Sequence, residues 1–60
     1  MSDIANKWQE IKTLIESLEV DIVKNANGNA SAGVRARRGL RALKGEAGVL
    51  VKLSLEGDKK

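Results

Sequence analysis

Apolar residues in the first half of the chain recur at Ile4, Trp8, Ile11, Ile15, Leu18 and Ile22, in steps of four, three, four, three and four. Such steps place side chains on one stripe of a helix, and a stripe held this long is a heptad seam of the coiled-coil kind. The pattern predicts a helix over 3–25, its start capped by Ser2 or Asp3, whose side-chain oxygens accept from the unpaired N–H groups of the first turn. A second seam follows at Ala36, Leu40, Leu43, Ala47 and Leu50, with Gly33 one step before it and Ser54 one step after. This predicts a helix over 31–56. Between the two, NANGNAS at residues 25–31 combines Asn and Gly as expected where one helix ends in a left-handed residue and the next is capped by Asn29 or Ser31. A turn over 26–30 and a frayed, solvated tail over 57–60 complete the expectation.

One short turn between two seams implies an all-α, antiparallel two-helix hairpin forming a single domain over 1–60. The seam of the second helix is the smaller, so that large Ile and Trp side chains face Ala and Gly and allow close packing. Leu14, Val20, Val23, Val49, Val51, Leu53 and Leu55 fall partly off both seams. A hairpin covers each helix on one side only, so a homodimer of the four-helix type is expected to cover the rest, with a higher oligomer or a hetero-partner as the alternatives. A rival reading concerns GEAGVLVKLSL, residues 45–55. Gly45 and Gly48 each cost about 0.8–1 kcal/mol against Ala in a helix interior, and the alternation in VLVKLSL also suits a strand paired with a second chain. The seam crosses the glycines at Leu43, Ala47 and Leu50, which favours helix.

Sixty residues make one small domain whose core is thin without a disulfide, metal or partner. The chain has no Cys and no His, so a disulfide framework, the usual zinc sites and the commonest general base are all excluded, and neither catalysis nor a cofactor is expected. The N-terminus lacks a basic start followed by an apolar core, and no apolar run approaches membrane-spanning length. Residence in the cytoplasm, away from the membrane, is the expectation.

The net charge is +3, unevenly placed. Residues 1–28 carry five acidic and three basic residues, a balance of −2, and residues 29–60 carry eight basic and three acidic, a balance of +5. Within GVRARRGLRALK, residues 33–44, lie Arg35, Arg37, Arg38, Arg41 and Lys44, and no acidic residue occurs between Asp21 and Glu46. Pairing at helical spacing therefore cannot neutralise the run. On a helical wheel Arg38, Arg41 and Lys52 oppose the seam while Arg35, Arg37 and Lys44 flank it. A solvated face neutralised across the hairpin by Glu16, Glu19 or Asp21 is the plain structural reading. Uncompensated like charges repel, however, and arginine forks fit phosphate oxygens bidentately. The cluster also follows a capped helix start, where free N–H groups favour an anion. Arg35, Arg37, Arg38, Arg41, Lys44 and Lys52 are the candidate phosphate contacts. Trp8 sits in the seam as core rather than as a stacking platform, so sequence-independent binding of duplex is favoured over base readout.

The segment NGNASAGVRARRGLRALK, residues 27–44, with IKTLIESLEVDIVK, residues 11–24, resembles the short bacterial linker-histone-like proteins related to the chlamydial histone-like family. The likeness runs from about residue 8 to 56, and its most specific part is carried by Gly28, Asn29, Ala32, Gly33, Arg35, Arg37, Gly39, Leu40, Leu43 and Lys44. The resemblance implies a small helical nucleoid protein that binds and compacts DNA through basic residues. In the chlamydial type a long Lys/Ala-rich tail follows the domain, whereas GDKK here contributes two lysines. The stretch GEAGVLVKLSL is also more glycine-rich and apolar than the charged helix end of such relatives.

A non-catalytic architectural protein of the nucleoid, with double-stranded DNA as its partner, is therefore the leading expectation. Two alternatives stand beside it: a hairpin docking an acidic protein, with the arginines as specificity charges, and a binder of structured RNA.

Overall fold

In a computed structural model describing residues 3–58, the chain forms helix α1, Asp3–Ala26, and helix α2, Ala30–Asp58, packed against each other as a hairpin. Among the described residues there is no strand. The hairpin is a flattened rod of 48 × 17 × 11 Å.

The turn follows from its Asn and Gly residues. Gly28 adopts φ +97°, a left-handed conformation that L side chains disfavour. With it in place the Gly28 N–H donates to the Asn25 carbonyl at 3.0 Å and the Asn29 N–H to the Lys24 carbonyl at 3.0 Å. This is the Schellman closure of a helix end. Asn29 then opens the next helix: its Oδ1 accepts from the Ala32 N–H at 2.9 Å, and its carbonyl from the Gly33 N–H at 3.2 Å. Asn29 rather than Ser31 is thus the cap, and α2 begins at Ala30. The other capping candidate, Ser2, lies outside the described residues.

The line along which the helices meet is rotated from the seams read in the sequence. On α1 the least exposed positions are Lys7, Ile11, Leu14, Leu18 and Asp21; on α2 they are Ala32, Gly33, Ala36, Gly39, Leu43, Glu46, Leu50 and Leu53. Ile11 and Leu18 are buried at 4% and 5% exposure, and Leu43 and Leu50 are half-buried. Ile4, Trp8, Ile15, Ile22 and Leu40 are instead exposed along one side. As seam residues they are expected in a hairpin core or an oligomer contact, and within the single hairpin they are not buried. The cause is that small and polar residues carry much of the contact. Gly39 admits Leu18 so closely that a Cβ there would overlap it, Gly33 lies under the Asn25 side chain, and Glu46 reaches Lys7. A count of apolar residues passes over all of these positions.

Residues 45–55 are helical, which removes the strand reading. Gly45 and Gly48 face open space, with nothing for an added Cβ to meet. Around them Leu43, Leu50 and Leu53 are half-buried on the contact side. Gly57 and Asp58 continue α2, where a frayed tail is expected, while Lys59 and Lys60 lie outside the described residues.

Candidate functional site

The arginine-rich run occupies the first half of α2, next to the turn. Arg35 leans back to α1, its Nε donating to Asp21 Oδ1 at 3.0 Å. Its charge is thereby partly answered, in a surface pair worth on the order of 0–1 kcal/mol. Arg37, Arg38, Arg41 and Lys44 are exposed and make no ion pair with any described residue. Helical spacing spreads these four over the outward arc of α2: Arg37 and Lys44, seven residues apart, border Leu40, while Arg38 and Arg41 point furthest from α1. Lys52 is exposed on the same line as Arg38 but fourteen residues on, about 21 Å away along the axis. The structure therefore gathers Arg37, Arg38, Arg41 and Lys44, diverts Arg35 to Asp21 and leaves Lys52 apart.

The start of α2 contributes less than the sequence suggests. Its Ala32 N–H donates to the Asn29 cap, and Ala32 and Gly33 are buried against the α1 end. What this face of α2 offers is therefore side-chain guanidinium and ammonium groups, a donor chemistry suited to phosphate oxygens.

A second feature lies toward the open end of the hairpin. Trp8 and Ile11 of α1 with Ala47, Leu50, Val51 and Leu55 of α2 line an open apolar groove of about 430 Å³. Trp8 keeps 48% of its surface exposed, and Val51 and Leu55 keep 59% and 58%. The seven-residue series Trp8, Ile15 and Ile22 continues this apolar strip toward the turn, beside Leu40. Trp8 is thus neither core in the single chain nor free of an apolar setting. Trp8, Ile11, Ala47 and Leu50 of this groove belong to the seams read in the sequence, and Val51 and Leu55 to the apolar residues left off them.

Lys7 closes the hairpin on the contact line. Its Nζ lies 2.6 Å from Glu10 Oε2 and 2.7 Å from Glu46 Oε2. Hydrogen bonds to Glu10 and then Glu46 raise its pKa above the usual lysine range. The cross-helix partner, 39 residues away, has no signal in local spacing. Among the described residues no helix is long and apolar enough to cross a membrane.

The described residues thus define a small two-helix hairpin with an exposed basic arc on one helix and an exposed apolar strip beside it. Residues 5–60 match the family model described as histone H1-like protein Hc1, and the chain belongs to that histone-like family. No curated protein and no solved structure matches it.

Proposed function

We propose that this protein is a non-catalytic, histone-like architectural protein of the bacterial nucleoid, binding duplex DNA with little sequence preference. Arg37, Arg38, Arg41 and Lys44 hold phosphate, with Lys52 as an outlying contact and Arg35 shared with Asp21. The observation that carries this reading is the exposed arc of four cations without acidic partners among the described residues, in a chain of a histone-like family. An external anion relieves the repulsion among them, and the regularly spaced phosphates of a duplex supply one for each. Self-association through the apolar strip accompanies this function, because Trp8, Ile15, Ile22 and Leu40 are otherwise left in water. By helping neighbouring duplex segments share protein, such an assembly contributes to compaction.

Titration against duplex DNA, duplex RNA and an acidic polypeptide, each at two salt concentrations, tests the reading. Duplex DNA should bind with an affinity that falls steeply with salt and differs little between sequences. Tighter binding of the acidic polypeptide would replace the reading by that of a protein-docking hairpin, and a clear preference for duplex RNA would replace it by that of an RNA binder.

A further inference from the structure

The apolar strip and the charge distribution together specify how a second copy would sit. The chain exposes 4664 Å², whereas a compact monomer of its 6.5 kDa exposes about 3,800 Å². The excess is of the order that each partner buries in a standard interface, about 800 Å². A second copy of the chain supplies a matching surface. At the open end the strip is concave, the groove of Trp8, Leu50, Val51 and Leu55. Toward the turn Ile22 and Leu40 stand 43% and 45% exposed on the same strip.

Charge then selects the direction. The half of the rod nearest the turn, residues 14–45, holds Lys24, the four arginines and Lys44 against Glu16, Glu19 and Asp21, six basic and three acidic, a net of +3. The open half, residues 3–13 and 46–58, holds Lys7, Lys12 and Lys52 against Asp3, Glu10, Glu46, Glu56 and Asp58, three basic and five acidic, a net of −2. Counting Lys59 and Lys60 with it brings the open half only to neutral. Two copies with their turns at the same end would set +3 against +3, whereas end-for-end reversal sets each basic half against a neutral or acidic one.

We infer that the protein dimerises through its apolar strip with the two hairpins reversed end for end, so that the exposed Ile22 and Leu40 of each copy meet the Trp8–Leu55 groove of the other. A two-fold axis generates both contacts at once. The arrangement places the two arginine arcs toward opposite ends of the dimer, where each meets a separate stretch of duplex, so that one dimer joins two segments. This consequence rests on the DNA-binding reading above; the direction of the dimer does not.

The chain has no cysteine, so single spin labels can be placed at will. Asn27→Cys marks the turn and Asp58→Cys the open end, both exposed and outside the contact line. Since the 29 residues of α2 span about 43 Å, the distance between two Asn27→Cys labels, and between two Asp58→Cys labels, should be about 40 Å or more. A mixture in which each chain carries one label or the other should add an intermolecular distance below about 25 Å, since reversal brings a turn beside an open end. Short distances between like labels, or no intermolecular distance in either variant at millimolar protein, overturn the inference. The two labels check each other, since one perturbed site cannot alter both like-label distances. Failure of DNA to bind would remove the duplex-joining consequence while leaving these distances unchanged, so the two readings fail separately.

Discussion

Leu18 of α1 fills the space that a side chain at Gly39 of α2 would occupy. Leu18 is 5% exposed, and among the described residues it and Ile11 are the large apolar side chains that the hairpin buries. The pair fixes both how near the helices come and which residues lie on the line between them.

Gly39→Ala should therefore destabilise the protein by about 1–3 kcal/mol through overpacking, although the same change in an open helix gains about 1 kcal/mol. Leu18→Ala alone should cost about 2–5 kcal/mol. In the double variant the methyl added by Gly39→Ala refills part of the space vacated by Leu18→Ala. The combined loss should then be less than the sum of the separate values, as read by denaturant unfolding.

The opposite sign is expected at Gly45 and Gly48, where an added methyl meets nothing within 4 Å. Gly45→Ala and Gly48→Ala should each stabilise by about 0.8–1 kcal/mol and raise helicity by circular dichroism. A loss of stability in both would mean that residues 45–55 depend on glycine for something other than helix.

These contrasts show why the fold was partly legible. The turn could be read from Asn25, Gly28 and Asn29 because its chemistry is local: a left-handed residue and an oxygen for a free N–H. That there are two helices followed from apolar spacing together with this turn. The contact line did not, because a sequence records which residues are apolar but not which gaps they enter. Gly39 accepts Leu18, Gly33 lies beneath Asn25, and Lys7 meets Glu46, all positions that carry no apolar signal. The seams from Ile4 to Ile22 and from Leu40 to Leu50 therefore mix residues of the hairpin contact with residues of the exposed strip. The arginine arc was legible as a cluster, since no acid lies within helical reach, and Asp21 was one of three acids within reach across the hairpin; that it takes Arg35 alone is seen only in the fold.

Asn29→Ala removes the oxygen that accepts the Ala32 N–H and should cost about 1 kcal/mol. Gly28→Ala forces a side chain into φ +97° and should cost about 1–2 kcal/mol. Thermal unfolding of both variants, with the hairpin still helical at low temperature, checks the turn.

Lys7 gives a pH dependence. Its pKa is raised in the folded chain by Glu10 and Glu46, so its stabilising effect is fully present below the ordinary lysine value of about 10.4 and is lost as pH rises through the higher folded value. The parent should melt above Lys7→Gln at neutral pH, and the gap between them should close in the strongly alkaline range. A gap that persists there would assign the effect to packing of the lysine stem.

The most direct test of the central claim is the salt dependence of duplex binding by the variant carrying Arg37→Gln, Arg38→Gln and Arg41→Gln. These three are exposed and without ion pairs to described residues, and Gln keeps helix propensity, so the fold should be unchanged or slightly more stable. Arg35 is retained because its replacement would also break the pair with Asp21. If the arc holds phosphate, the slope of log K against log salt should flatten by about 0.9 for each lost contact in each bound chain, and affinity at low salt should drop by orders of magnitude. A variant that keeps its helicity and binds duplex DNA with the parent's affinity and slope would contradict the account.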